Sequence, residues 1–398
     1  MVKALVLFNS FYLTSLLNKY RQILIKPSHI ELLDKITSEN TVEDLDGLIS
    51  LFSLYTEKTN QIPFRRLSGA DTKPGLLDSL KSQNVDVKFL SLEKYYSIFE
   101  QFYEVDFIIA PMTMQDIPDL YNITDKLKIP VFPRTFHQWE AKINQRRLLS
   151  TFDSSLLLPF FYIPKAKNFD LNKVQIIIDK FKKLQIEYVF VKDDEGFHSG
   201  STYPYYHCKL ENLSSIMEHY ANARVSLIIE PLITTVLDNK RITRIVKIHG
   251  FGGIHKQEYL EFNVFWSSLE GKYGSETIAK IERIDEEIDL GNFPYTILNE
   301  FINQRLPFNL TSMDFAKNLH GNYYSIDINH AAGTWGEVQE TGRILDNTIF
   351  DQMVSTMCNT SFDDYKNRLE LVESQFTDIP QKPIFFDGTE FIPIVELE

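Results

Sequence analysis

Cysteine is scarce in this sequence, and long apolar segments are missing. The two cysteines, Cys208 and Cys358, are too few for a disulfide framework and lack the spacing of metal ligands. No segment reaches the roughly 18 consecutive apolar residues that a membrane span needs. The apolar start, 1–8, has neither the charged beginning nor the cleavage site of a signal peptide. We therefore expect a cytoplasmic protein with no membrane partner.

An excess of positive charge is missing too. The sequence has 41 Lys and Arg against 54 Asp and Glu, which gives a formal net charge of −13. A field of that sign disfavours binding to nucleic acid, although a local basic cleft can still bind a small polyanion. We expect no nucleic-acid partner.

The length of the chain indicates more than one domain. At 398 residues, with 43% hydrophobic and 24% charged residues, it has material for several conventional cores. In 1–135, short apolar runs alternate with amphipathic stretches, and the strand-like runs are 2–8, 85–90, 105–110 and 129–132. This alternation predicts an N-terminal α/β (Rossmann-like) domain with a mainly parallel sheet.

The remaining chain changes pattern. A predicted helix at 136–152 begins a small strand-and-helix lobe, 136–228, and 229–345 shows strands typical of an antiparallel sheet around a helix at 294–305. The tail, 346–398, combines a helical stretch with two apolar runs around Asp387-Gly388, a strong hairpin signal. The predicted fold class is α/β followed by α+β.

The most informative segment is a predicted hairpin, 312–329. A turn centred between His320 and Gly321 places Asp314 opposite Asp327, and Asn329 shares the face of Asp327 because side chains alternate along a strand. Opposed carboxylates destabilise a sheet unless something compensates their charge. Carboxylate and amide oxygens suit Mg²⁺, with Mn²⁺ as an alternative ion. A solvated hairpin face is the simpler interpretation of the same residues.

A second signal is a lysine at the end of an apolar strand. Lys192 follows 188–191 and precedes a loop that contains Gly196, Ser199 and Gly200. A compact cation followed by exposed backbone N–H groups is suited to phosphate, and an ordinary surface turn is the alternative. Further along, the apolar run 227–233 contains Glu230 before Pro231. A linker between two lobes can bind a flat base, so this run is a candidate base-binding segment. An ordinary turn at the end of a strand is the alternative.

Taken in order, these features resemble the ATP-grasp superfamily over roughly 1–340. The resemblance implies an N-terminal α/β domain, a small central lobe and a C-terminal antiparallel lobe with the metal site. It implies that Asp314, Asp327 and Asn329 are magnesium ligands, although this chain has Asp-x-Asn where the family more often has Glu-x-Asn. The nucleotide-binding residues that it implies are Lys142, Lys192, Gly196, Ser199, Gly200, Glu230, Leu232 and Ile233.

Catalytic roles are implied for Lys192 and for an arginine on a later strand, Arg241 or Arg244, with Lys247 as a third candidate. A guanidinium suits a phosphate or a carboxylate. By this resemblance the chain is an ATP- and Mg²⁺-dependent ligase that forms an amide through an acyl-phosphate. The substrates suggested are small-molecule or peptide carboxylates and amines, such as an amino acid, a peptide or a ribosomal precursor peptide.

Two other functions fit the same sequence. One is a nucleotide-binding regulatory or scaffold protein with a degenerate site, and the other is a phosphotransferase that forms a stable phosphate ester. A homo-oligomer is compatible with either function and with the ligase.

Overall fold

The computed structural model describes most of the chain. The described residues are 1–8, 27–39, 41–42, 47, 75–91, 95, 104–110, 120–132, 134, 141–165, 169–194, 203–221, 223–251, 258–284, 293–308, 310–329, 347–376 and 378–397.

The strands and helices follow the predicted alternation closely. The strands are β1 (Lys3–Phe8), β2 (Thr41–Val42), β3 (Asp86–Ser91), β4 (Phe107–Ile109), β5 (Val131–Phe132), β6 (Phe160–Ile163), β7 (Tyr188–Asp193), β8 (Tyr206–Lys209), β9 (Leu227–Pro231), β10 (Thr235–Leu237), β11 (Lys240–Phe251), β12 (Glu258–Trp266), β13 (Gly271–Lys272), β14 (Ile278–Arg283), β15 (Leu310–Lys317), β16 (Tyr323–Asn329), β17 (Ile384–Phe386) and β18 (Phe391–Pro393). The α-helices are α1 (Pro27–Glu39), α2 (Gly75–Ser82), α3 (Leu120–Leu127), α4 (Lys142–Asp153), α5 (Val174–Lys183), α6 (Leu213–Tyr220), α7 (Tyr295–Arg305), α8 (Asn347–Asn359) and α9 (Phe362–Glu373).

The first sheet has the order β2-β3-β1-β4-β5. Strand β1 pairs in parallel with β3 and β4, and β4 pairs in parallel with β5, whereas β2 is antiparallel to β3. The central strands are buried on both faces, as a parallel sheet covered by helices requires. This confirms the predicted α/β layer at the start of the chain.

The second sheet has the order β13-β8-β7-β9-β6-β17-β18. Its last two strands come from the C-terminal tail, where β17 and β18 form the hairpin predicted from Asp387-Gly388. Strand β17 pairs with β6, and Phe385 stacks on Phe161 with ring centroids 4.5 Å apart. The tail therefore completes the sheet that carries Lys192.

The third sheet is antiparallel, with the order β14-β12-β11-β15-β16 and β10 paired to β11. One of its faces lies in the largest hydrophobic core, where Val246, Met313 and Phe315 are buried. The opposite face presents the side chains that alternate with these, including Asp314.

The tail helices connect the first and third sheets. Tyr365 of α9 donates a hydrogen bond to the carbonyl of Val131 at 2.9 Å, and its ring packs against Phe132 and Phe308. Gln83, after α2, donates to the carbonyl of Asp351 in α8 at 2.7 Å. Among the described helices, none is long and apolar enough to cross a membrane.

Candidate active site

Two aspartates face each other at the end of the third sheet. Strands β15 and β16 pair with Asp314 opposite Asp327 and Ser312 opposite Asn329, which is the predicted register. Their side chains are partly enclosed, at 18% exposure for Asp314 and 34% for Asp327. Asn329 is the last residue of β16, two residues after Asp327, and residues at that spacing belong to the same face of a strand.

The hairpin contains a bulge directly beside the aspartates. Asp314 pairs with Asp327 but Phe315 pairs with Ser325, so Ile326 is the extra residue. The carbonyl of Ile326 accepts a hydrogen bond of 2.5 Å from Nζ of Lys192. The bulge thus brings the lysine of β7 to the backbone next to Asp327.

A buried carboxylate holds this lysine in place. Glu230 of β9, whose side chain is 4% exposed, lies 2.5 Å from Nζ of Lys192 through Oε1. Its other oxygen, Oε2, accepts a hydrogen bond of 2.6 Å from Arg146 of α4. Strands β7 and β9 are neighbours, and Phe190 pairs with Glu230. Lys192 is two residues after Phe190 on the same face of β7, so its side chain reaches Glu230 directly across the two strands.

Helix α4 contributes a second cation. Nζ of Lys142 lies 3.5 Å from Oδ1 of Asp327, and the lysine side chain is 8% exposed. Enclosure acts to raise the pKa of Asp327 and is the largest single effect, but the charges of Lys142, Lys192 and Arg146 together outweigh it. The pKa of Asp327 is therefore lowered, and the carboxylate is ionised near neutral pH.

Burial and neighbouring charges also shift the pKa values of Lys192 and Glu230. Burial lowers the pKa of Lys192 to about 8 despite the opposing attraction of Glu230, and Arg146 adds repulsion. For Glu230, burial acts to raise the pKa, but Lys192 and Arg146 together outweigh it and leave the pKa lowered. Lys192 is thus a cation at neutral pH that can lose its charge in mildly alkaline solution.

The basic residues of β11 differ in their position. Lys247 pairs across the sheet with Asp314, and its Nζ lies 3.7 Å from Oδ1 of that residue. Arg244, an odd number of residues away, faces the other side of the sheet and binds Glu261. Arg241 is exposed, donates to Thr234 at 3.2 Å, and lies about 20 Å along the strand from Lys247.

Lys247 is therefore the basic side chain of β11 beside the facing aspartates. Among the described residues, neither arginine makes a contact with Asp314 or Asp327. Catalytic roles for Arg241 and Arg244 stay predictions, and the geometry favours Lys247.

The predicted base-binding segment lies at the joint of the second and third sheets. Glu230 is the residue before the last of β9, and the N–H of Leu232, just after the strand, donates to the carbonyl of Tyr188 at 2.9 Å. The carbonyl of Ile233 accepts from Thr243 at 2.7 Å, and the indole N–H of Trp266 donates to Thr243 at 2.9 Å. The predicted loop residues Gly196, Ser199 and Gly200 lie outside the described residues.

Arg146 was not predicted from the sequence. It follows Lys142 by four residues, and residues at that spacing lie on one face of a helix. This spacing could have indicated a second cation beside the first. Its partner Glu230 is 84 residues away, so the buried ion pair itself has no local signal.

The carboxylates fit a hard divalent cation. Oδ1 of Asp327 is buried and makes an ion pair of 3.5 Å with Nζ of Lys142, and Asp314 faces Asp327 across the ladder. Among the described residues, no group of three or more His, Cys, Asp and Glu side chains could hold a metal. A cation here would therefore take its remaining ligands from amide oxygens, phosphates or water, as Mg²⁺ commonly does.

Comparisons with known proteins give structural matches only, since no family model and no curated protein matches the sequence. The chain is similar to D-cycloserine synthetase DcsG, with a TM-score of 0.48, 11% identity and coverage of 72% of this chain and 94% of that one. It is similar to D-alanine–D-alanine ligase from Bacillus anthracis complexed with ATP, with a TM-score of 0.47, 11% identity and coverage of 93% and 99%. It is similar to ATP-grasp ligase PsnB complexed with precursor peptide PsnA2 and AMPPNP, with a TM-score of 0.46, 12% identity and coverage of 71% of this chain and 92% of that one.

Identities of this size concern the fold alone. The elements of this chain follow the order predicted from the sequence: a parallel α/β layer, a lobe whose strand delivers a lysine, and an antiparallel lobe with facing aspartates. The fold predicted from the sequence is confirmed.

We expect Glu230→Gln to destabilise the protein strongly. The amide keeps the shape of the side chain but leaves Lys192 and Arg146 as buried cations without a counter-charge, which costs about 3–5 kcal/mol. The free energy of unfolding, measured by urea denaturation, tests this. The matched control is Glu282→Gln, which removes an exposed partner of Lys280 and should change the free energy by less than about 0.5 kcal/mol. Equal effects of the two substitutions would contradict the buried network.

Proposed function

We propose that this protein is an ATP- and Mg²⁺-dependent ligase that joins a carboxylate to an amine. The observation that carries the proposal is the convergence of three lysines on two facing aspartates. Lys142 contacts Asp327, Lys247 contacts Asp314, and Lys192 binds the carbonyl of the residue before Asp327. Cations around a pair of carboxylates suit a metal-bound triphosphate.

Asp314, Asp327 and Asn329 would hold Mg²⁺, or Mn²⁺ as an alternative. When bound, the ion would neutralise charge on the phosphate oxygens and help to orient the reacting groups. Lys142, Lys192 and Lys247 would stabilise the negative charge of the γ-phosphoryl group as it is transferred. Preorganised charges of this kind supply most of the catalysis in phosphoryl transfer.

In the first proposed step, a carboxylate oxygen of the substrate attacks the γ-phosphorus of ATP. The bond from that phosphorus to the bridging oxygen breaks, and ADP leaves with the electron pair. An amine then attacks the carbonyl carbon of the acyl-phosphate, inorganic phosphate leaves, and the amine nitrogen loses a proton. Burial of Lys192 and Glu230 would hold the cations in place through both steps.

Amino acids and peptides form the substrate panel that we propose. The structures to which this chain is similar include a D-alanine–D-alanine ligase and a ligase complexed with a precursor peptide. Those substrates belong to those proteins, and here they define only the compounds to be screened.

A screen for ADP release and hydroxamate tests the proposed reaction. With Mg²⁺, ATP, hydroxylamine and the correct carboxylic acid, we expect an acyl-hydroxamate, because hydroxylamine traps an acyl-phosphate. Asp327→Asn should lower the rate of ADP release by at least about 100-fold, a size typical of removing a group that acts on the transition state. Glu282→Gln, on the exposed edge of the third sheet, should leave the rate unchanged.

Other outcomes would select other functions. A phosphorylated product that resists hydroxylamine indicates a phosphotransferase. Nucleotide binding with no ADP release across the whole panel indicates a regulatory or scaffold protein. Unchanged turnover in Asp327→Asn would contradict the metal assignment.

Nucleotide affinity should depend on pH through Lys192. Its pKa is lowered to about 8, so the cation is fully present below that pH and is lost as the pH rises through it. We expect the affinity for Mg²⁺ and a non-hydrolysable ATP analogue to fall roughly tenfold between pH 7 and pH 9, in proportion to the protonated fraction.

Isothermal titration calorimetry at several pH values measures this dependence. In Lys192→Arg the guanidinium stays protonated over the same range, so the affinity of that variant should be nearly independent of pH. A wild-type affinity that is flat from pH 7 to pH 9 would show that Lys192 does not contribute a titrating charge.

A further inference from the structure

Asp194 joins the strand of Lys192 to the helix of Lys142. It follows β7 directly and is fully buried. Its Oδ1 accepts a hydrogen bond of 2.7 Å from the N–H of Ile143, and its carbonyl accepts one of 2.9 Å from the N–H of Lys142. Its own N–H donates to the carbonyl of Ser226, just before β9, at 2.9 Å.

These contacts supply a cap that the helix does not have locally. The residue at the N-cap of α4 is Ala141, in an extended conformation, and its side chain makes no capping hydrogen bond. The first N–H groups of a helix need acceptors, and a carboxylate at this end is also favoured by the helix dipole. Here the acceptor is the side chain of Asp194, which follows β7 and is 51 residues further along the chain than Ile143.

The capped end of α4 carries two of the cations of the site. Lys142 is the first residue of α4 and contacts Asp327, and Arg146, one turn later, binds Glu230. Lys192 lies two residues before Asp194 and binds the same Glu230. A shift of α4 relative to β7 would therefore move Lys142 and Arg146 away from their partners together.

We propose that Asp194 is a positioning residue that fixes Lys142 and Arg146 relative to Lys192. The proposal rests on the proposed function of this cleft and adds to it a residue that touches neither metal nor nucleotide. The alternative is that Asp194 only stabilises the helix, as any N-cap residue would.

A second substitution separates positioning from stability. Asp194→Ala removes the side-chain acceptor of the Ile143 N–H and leaves the two backbone hydrogen bonds of residue 194 in place. Adding Ala141→Ser supplies a hydroxyl at the N-cap itself, which can accept from the first turn of α4 but makes no connection to β7. The double variant should recover the unfolding midpoint of the wild type without recovering the position of Lys142.

The position of Lys142 can be measured without nucleotide. Lysines can be acetylated with a mild amine-reactive acetylating reagent and the products identified by mass spectrometry. The rate of acetylation reports how well Lys142 is protected. We expect Asp194→Ala to acetylate Lys142 roughly five- to thirtyfold faster, the range that losing one cap produces in an opening equilibrium. The exposed Lys280 provides an internal reference whose rate should stay constant.

The expected pattern has three parts. Asp194→Ala and the double variant should both show faster acetylation of Lys142 and weaker binding of the ATP analogue by a similar factor. Asp194→Asn should remain close to the wild type, because the amide oxygen can still accept from Ile143. Asp170→Ala removes a cap from an exposed turn elsewhere and should change neither quantity.

Two results would overturn the proposal. One is wild-type protection of Lys142 in Asp194→Ala, and the other is full recovery of protection in the double variant, which would reduce Asp194 to a simple cap. If Asp194→Ala does not fold, the comparison is made with Asp194→Ser in the Ala141→Ser background. A wild-type chain that binds no nucleotide would contradict the proposed function alone, since the acetylation rates still decide the role of Asp194.

Discussion

The site depends on an electrostatic conflict between two like charges. Asp314 and Asp327 face each other across a two-stranded ladder, an arrangement that destabilises a sheet unless cations compensate it. In this protein the compensation comes from elsewhere in the chain, with Lys142 on α4 and Lys247 on β11 each contacting one of the two carboxylates. The hairpin therefore depends on the lysines of α4 and β11 to offset the repulsion between its two aspartates. A divalent cation would relieve the same repulsion, and it would release the lysines to bind phosphate.

A second requirement is that the lysines keep their positions when they are released. Lys192 and Arg146 share the buried Glu230, so both cations are fixed by one carboxylate on β9. Burying such a group is costly, and an ion pair of this kind contributes little net stability compared with apolar side chains. The ion pair matters because it fixes the positions of Lys192 and Arg146. The burial that makes the network costly also keeps water out and strengthens the action of each charge on a bound anion.

The sequence predicted the parts of this arrangement that local pattern controls. Alternation along a strand and a turn near Gly321 indicated that Asp314 faces Asp327, and Asp387-Gly388 marked the tail hairpin. Between the aspartates and the turn, however, the pairs are one residue off the predicted register, since Phe315 pairs with Ser325, and the bulge at Ile326 is what brings Asp314 opposite Asp327. Contacts between distant strands were not predictable, because their register depends on packing across the whole sheet. For that reason Lys247, rather than Arg241 or Arg244, lies beside Asp314. The bulge at Ile326 and the role of Arg146 likewise depend on tertiary contacts, and the glycine-containing loop after Lys192 stays a prediction.

The central claim is that the two facing aspartates bind a divalent cation together with the triphosphate. Crystals grown with Mn²⁺ and a non-hydrolysable ATP analogue test it most directly, because Mn²⁺ is identified by its anomalous scattering. We expect an anomalous peak within about 2.5 Å of carboxylate oxygens of both Asp314 and Asp327. A nucleotide bound in the cleft with its Mn²⁺ held away from both aspartates, or no peak in this cleft at all, would contradict it.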